Sequence, residues 1–250
     1  MPKLLIQFVK ILLVTAFTVL TAIGIQAKEL AVGVEDIEYY PLYAKRDGQY
    51  AGFAREFLDA FAAQYGHSIT YKAMPIKRLY GEFVNGRVDI KFPDNVNWGN
   101  DKKMGKKVLY SNGVLEYIDG VMVLPNNLAK DSSQLKKLGT VRGFTPWVYL
   151  DQINSNQIKL TENSDLKGLL KLIKAERIDG VYFNILVAKY YLKHTLFDEK
   201  AMVFNSSLPH SRSAYHASSI KHPDVIEQIN QFLEEEIDLI KSLKLKYEVI

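Results

Sequence analysis

The stretch Gly86-Arg87-Val88-Asp89-Ile90-Lys91-Phe92 returns later in the chain as Glu176-Arg177-Ile178-Asp179-Gly180-Val181-Tyr182. Each copy sets Arg, an apolar residue and Asp between the end of a helical pattern and the start of a strand, and such recurrence marks an internal structural repeat. Upstream of the first copy, residues 29–34 read as a strand. Residues 52–65 read as a helix, with Phe53, Phe57, Phe61 and Tyr65 four apart on one face. Gly66 ends that helix. Residues 68–73 alternate as a strand, a second helix runs from Pro75 and Ile76 to Asn85 with Gly86 as its stop, and residues 88–92 form the third strand. Helices of this length between strands carry the chain back to the same sheet edge, so the unit is a parallel βαβαβ.

The second copy closes a second unit of the same kind: a strand at 138–141, a helix from Pro146, a strand at 157–160, a helix at 165–176 and a strand at 178–183. Two units predict an α/β protein of two lobes, each a mostly parallel sheet flanked by helices. Residues 108–124 are rich in strand formers and end in Pro125-Asn126-Asn127, as expected of a segment crossing between lobes. A return crossing is expected near 203–208. This places lobe 1 at 28–116 plus 208–250 and lobe 2 at 117–207. A C-terminal helix begins at Pro223 with Val225, Ile226, Ile229, Phe232, Leu233, Ile237 and Ile240 on one side, and Glu234-Glu235-Glu236 as its solvated face.

At the N-terminus, Lys3 and Lys10 precede an apolar run from Ile11 to Ile25. The run is shorter than the ~20 residues of a membrane-spanning helix and ends at Ala27 before Lys28-Glu29, the pattern of a cleavable secretion signal. Removal after Ala27 leaves 30 basic against 28 acidic side chains. That near balance argues against nucleic acid as a partner. The dense run Lys102-Lys103-Met104-Gly105-Lys106-Lys107, beside Asp101 and without interleaved aromatics, reads as a solvated loop. Zero cysteines exclude disulfides, thiolate metal sites, a cysteine nucleophile and N-terminal lipidation. An exported, unanchored protein is expected to reside in a periplasm.

Five phrases follow one another along the chain: Gly48-Gln49-Tyr50-Ala51-Gly52-Phe53, Pro75-Ile76-Lys77-Arg78, Asn85-Gly86-Arg87-Val88-Asp89, Arg177-Ile178-Asp179-Gly180, and the ending His222-Pro223-Asp224 to Ile229-Asn230 with Lys246-Tyr247. In this order they resemble the family 3 extracellular solute-binding proteins, which include the periplasmic amino-acid receptors of ABC importers. The resemblance implies a type II periplasmic-binding-protein fold with a two-strand hinge and lobe 1 built from both chain ends. It also implies a small polar ligand, an amino acid or related compound, delivered by a monomer to an inner-membrane ABC permease without cofactor. Two departures stand out. The family's carboxylate-holding arginine has no counterpart in Pro93-Asp94-Asn95-Val96-Asn97-Trp98-Gly99-Asn100-Asp101-Lys102, and Asn184 stands where the family often has an amine-holding aspartate.

In α/β folds ligands gather at the carboxyl ends of parallel strands. That rule selects Tyr39 and Tyr40 after the first strand, Arg78 on the next helix's first turn, and Asp94 and Asn95 after the third strand, with Trp98 as a lid. Lobe 2 offers Arg142, Phe144, Thr145 and Asn184. Tyrosines supply flat contact area and a hydroxyl. Arg78 suits a carboxylate, or else pairs with Glu82 at i+4. Thr145 suits an N-cap and Pro146 the first helical position, so Arg142 ahead of them would complete an anion-binding corner. Asp89 and Asp179, at strand starts, read as turn residues.

His210, His216 and His222 fit no metal motif, and the serines near them lack a nucleophile elbow. Two alternatives to transport remain open: a receptor signalling to a chemotaxis or kinase partner, and a cyclohexadienyl-dehydratase-like enzyme using Asp94 or Glu116 as general acid.

Overall fold

The computed structural model describes residues 27–250; the predicted secretion signal, apart from Ala27, lies outside them. In chain order the elements are β1 (Glu29–Glu35), β2 (Ala44–Arg46), β3 (Gln49–Ala51), α1 (Phe53–Tyr65), β4 (Ser68–Met74), α2 (Ile76–Val84) and β5 (Ile90–Asp94). Then come α3 (Asn100–Lys103), β6 (Leu109–Tyr110), β7 (Leu115–Val123), β8 (Lys137–Val141), α4 (Leu150–Asn154), β9 (Lys159–Asn163), α5 (Leu166–Lys174), β10 (Gly180–Asn184) and α6 (Ile185–His194). The chain ends with β11 (Val203–Phe204), β12 (Ser211–Ser219), α7 (Pro223–Glu235) and α8 (Ile237–Lys246). No helix among the described residues is long and apolar enough to cross a membrane.

The main sheet runs β4-β1-β5-β12-β7-β10-β8-β9. At one end β4, β1 and β5 are parallel, and at the other β10, β8 and β9 are parallel, as the repeat predicts. Two antiparallel strands join these halves. β7 pairs with β10, and β12 pairs with β7 through Ser211–Tyr215 before passing to β5, with a register shift between His216 and Ser218. The chain thus returns to the first half along β12, after Val203–Phe204 has added a short edge strand to β7.

Asp89 and Asp179 do the same work in the two halves. The Asp89 carboxylate accepts from the Ala31 N–H at 2.8 Å, and that of Asp179 from Lys136 and Lys137 N–H at 2.8 and 2.7 Å. Each ties the entry of a third strand to the first strand of its unit. Because these turns occupy residues 88–89 and 178–179, β5 and β10 start two residues later than the apolar pattern suggests.

The spacing of four in α1 buries Phe53, Phe57, Phe61 and Tyr65, and Gly66 ends the helix at φ 70. Phe57 packs against Phe92 of β5 and Phe232 of α7, with ring centroids 5.9 and 5.6 Å away, locking the C-terminal helix onto the first half. A fully buried side chain of this size contributes roughly 1.5–3 kcal/mol.

Two helix expectations need correction. The single C-terminal helix breaks at Glu236 (φ −106, ψ 38) into α7 and α8. Ile237, one residue out of phase with Val225, Ile229 and Phe232, is therefore 62% exposed rather than buried. No regular helix starts at Pro146 either. A 3-10 turn, Trp147–Tyr149, precedes α4, and Thr145 caps nothing with its side chain. Gly143 turns the chain at φ 87, which directs Phe144 into an aromatic cluster and delays the helix. A turn this short offers no helix N-terminus to an anion, so the corner expected around Thr145 is absent.

Candidate functional site

At the carboxyl ends of β1 and β5 four charged side chains meet. Glu35 ends β1, Lys91 and Asp94 lie on β5, and Lys103 comes from α3. All four are buried. Lys103 Nζ lies 2.9 Å from Asp94 Oδ1 and donates to the Asn95 carbonyl at 2.8 Å. Lys91 Nζ lies 3.5 Å from Asp94 and 3.7 Å from Glu35. Asp94 further accepts from Ser218 Oγ at 2.6 Å and Tyr80 OH at 3.3 Å, while Tyr43 OH donates to Glu35 at 2.7 Å. Two acids and two bases balance, the condition under which buried charge is tolerable. Burial raises the Glu35 pKa against the pull of Lys91, and lowers that of Lys103 despite Asp94.

The run around Lys103 is therefore not wholly a solvated loop. Gly99 starts α3 at φ 60, and a Cβ there would stand 2.6 Å from the Tyr80 ring. Glycine lets this helix approach closely enough to bury its lysine.

Between the two halves runs a seam of aromatic rings. Tyr39 stacks on Tyr43 at 5.0 Å and Phe144 at 6.2 Å, and meets the edge of Phe183 at 5.3 Å. Tyr117 and Tyr215 stack at 4.4 Å across β7 and β12, with Trp98 5.8 Å from each. Tyr40 meets Tyr190 of α6 at 5.3 Å. Further along α6, Lys193 and His194 lie 2.7 and 2.9 Å from Glu248. The halves are thus in contact along the seam.

Within the seam the polar groups form a chain. Tyr39 OH lies 3.4 Å from Tyr215 OH, and Asn184 Nδ2 donates to Tyr215 OH at 3.1 Å and to Asp119 Oδ1 at 3.2 Å. Asn184 Oδ1 accepts from the Val187 N–H, capping α6. Asp119, on β7 opposite Asn184, is pushed up to about 7 by burial, with the Asn184 amide acting in the other direction.

Of the residues predicted from sequence, Tyr39, Phe144 and Trp98 line this seam, and Tyr40 closes one flank. Asp94, Asn95 and Asn184 are buried and engaged by the protein itself; Asn95 Nδ2 donates to Ser213 Oγ and the Ala214 carbonyl at 2.9 and 3.0 Å. These three stand in the walls of the seam. Arg78, on the first turn of α2, and Arg142, directly after β8, are exposed and form no ion pair among the described residues. Glu82, the alternative partner of Arg78, pairs with Arg87 at 2.9 Å. The three histidines are dispersed, His216 on the Ser111 carbonyl, His222 on Asp89 and His210 on the Leu208 carbonyl. Sequence reasoning missed Glu35, Lys91, Lys103, Asp119 and Tyr215. A lysine between Ile90 and Phe92, and an aspartate inside Leu115–Val123, are charges in apolar strands, and that was the available signal.

Two lobes bridged by two antiparallel strands, each lobe a parallel sheet whose strand ends meet at the seam, constitute the type II periplasmic-binding-protein fold. Among solved structures, an ancestral arginine-binding protein bound to arginine superimposes with a TM-score of 0.67 at 20% identity, over 88% of this chain and 97% of the other. The substrate-binding protein of an ABC uptake transporter from Streptococcus pneumoniae, with bound histidine, gives 0.68 at 20% identity, over 88% and 92%. The ancestral amino-acid-binding protein AncCDT-1, a precursor of cyclohexadienyl dehydratase, gives 0.66 at 18% identity, over 88% and 94%. These likenesses are of fold. No family model matches the chain, and no curated protein matches it.

Proposed function

We propose that this chain is an exported solute-binding protein that closes its two lobes on a small polar solute, an amino acid or related compound, and presents the closed form to an inner-membrane ABC permease. The observation that carries this reading is the seam: rings from both lobes enclose polar groups at the strand ends, and only β7 and β12 bridge the lobes beneath them. Rotation about two strands opens such a seam by parting the rings that join the lobes. In this reading lobe 1 spans 28–116 with 208–250 and lobe 2 spans 117–207. Tyr39, Tyr40, Trp98 and Phe144 cover the solute, Asp94, Asn95 and Asn184 hold the walls, and Arg78 and Arg142 take an anionic group at the rim. The secretion signal is removed after Ala27, and the protein acts as a periplasmic monomer.

Capture without chemistry is supported by the two expected general acids: Asp94 has both oxygens occupied by protein donors, and Glu116 is exposed to solvent. The test is thermal unfolding of the purified protein with amino acids, polyamines, dicarboxylates and small peptides. A true solute at 100 times its Kd adds about 2.7 kcal/mol to the folded state. It should be recovered chemically unchanged. No stabilisation by any member of the panel overturns capture, and recovery of a product overturns the absence of chemistry.

A further inference from the structure

Asp119 differs from every other carboxylate in the seam. Glu35 and Asp94 each have a lysine within ion-pair distance, whereas Asp119 has none among the described residues. It is only 4% exposed, and one neutral donor, the Asn184 amide, reaches its Oδ1. No donor from the described residues reaches Oδ2. A largely buried carboxylate left in this state is costly, and the arrival of a cation lowers that cost.

The position fits such an arrival. Asp119 lies on β7, in register with Asn184 of β10 on one side and Ser211 of β12 on the other, where the bridging strands meet the second lobe. The titratable groups facing it are Tyr39 from the loop after β1, Tyr117 from its own strand, Tyr182 from β10 and Tyr215 from β12. Burial holds all four hydroxyls above their usual range, so they stay neutral. Ring faces and hydroxyl oxygens attract a cation and provide no competing positive charge. Asn184 gives the strand end a neutral amide whose donor holds the neighbouring carboxyl in place.

Resting on the solute-capture reading, we infer that the cleft selects a solute bearing a protonated nitrogen, an ammonium or guanidinium group, and that Asp119 receives it. With Arg78 and Arg142 at the rim, the preferred solute is a zwitterion. When no solute is bound, the carboxyl meets its need by taking a proton, consistent with burial pushing it up to about 7. Uptake of a cation then displaces that proton near neutral pH.

The experiment compares L-arginine, L-histidine, putrescine and succinate as probes, by thermal shift and titration calorimetry, on the purified wild-type protein and Asp119→Asn. The expected result is stabilisation by at least one nitrogen-bearing probe, no stabilisation by succinate, and at least a tenfold weaker affinity in the variant. Calorimetry of the wild type alone, in phosphate and in Tris near pH 7, gives a second readout that survives a misfolded variant: the two enthalpies should differ by the released proton. Succinate stabilising both proteins alike, or a nitrogen-bearing probe binding without proton release and equally to the variant, overturns the assignment while leaving solute capture intact. If none of the four probes stabilises the wild type, the cation assignment falls. Capture falls with it only if the broader solute panel is also silent.

Discussion

Asn184 and Asp119 stand opposite each other on β10 and β7, with the amide Nδ2 3.2 Å from the carboxylate Oδ1. The pair joins the cap of α6 to the buried acid of the bridging strand. A carboxyl whose pKa rises on folding binds more protons in the folded state. Its favourable contribution is complete below the unfolded value and is lost as pH rises through the folded one. For Asp119 the window runs from 3.8 to about 7. A change of that size corresponds to on the order of 4 kcal/mol. Asp119→Asn should therefore stabilise the solute-free protein more at about pH 8 than at about pH 5, measured by urea unfolding. Equal effects at the two pH values would show that Asp119 does not titrate in this window.

Removing the other member of the pair acts in the opposite direction. Asn184→Ala deletes the α6 cap together with the donors to Asp119 and Tyr215. Loss of a cap costs about 0.5–2 kcal/mol and each buried group left unpaired about 1–3. Urea unfolding should show a loss of at least about 2 kcal/mol. A neutral result would mean that water replaces the amide without penalty.

The basic run offers a comparison between adjacent residues. Lys103 is 7% exposed on Asp94, while Lys102 reaches outward beside Asp101. Lys103→Ala leaves Asp94 with Lys91, 3.5 Å away, as its one lysine and should cost about 3–5 kcal/mol. Lys102→Ala should fall within about 0.5 kcal/mol of wild type. Similar values for the two variants would dissolve the buried quartet as an energetic unit.

Arg78→Ala and Arg142→Ala test the rim. Both side chains are exposed and without ion pairs among the described residues, so folding should be nearly unaffected. A charge-assisted hydrogen bond contributes roughly 1.5–3 kcal/mol, and binding of the identified solute should weaken about 10- to 150-fold for Arg142→Ala. Less than about threefold loss in both variants would remove the anion clamp.

Much of the architecture was legible because it is local. The four-residue spacing of aromatics in α1 and the repeated Arg-apolar-Asp phrase act over a few residues, and the chain folds there as the spacing dictates. The site was less legible because burial of a charge depends on partners distant in sequence. Asp94 is completed by Ser218, 124 positions away, and Asp119 is set by Asn184, 65 positions away. Thr145 shows the converse. A good capping residue in a good position yields when a neighbouring ring, Phe144, has a better place to go in the seam.

Trp98 rests 5.8 Å from both Tyr117 and Tyr215, and the other tryptophan of the chain, Trp147, is 46% exposed. The molecule therefore carries its own optical gauge. Emission from Trp98 reports on the stack where the lobes meet, while Trp147 adds a steady background from solvent-exposed indole. Replacing Trp147 by phenylalanine would leave a single indole, so the speed of the proposed opening and closing could be followed by rapid mixing under indole-selective excitation, without an attached dye.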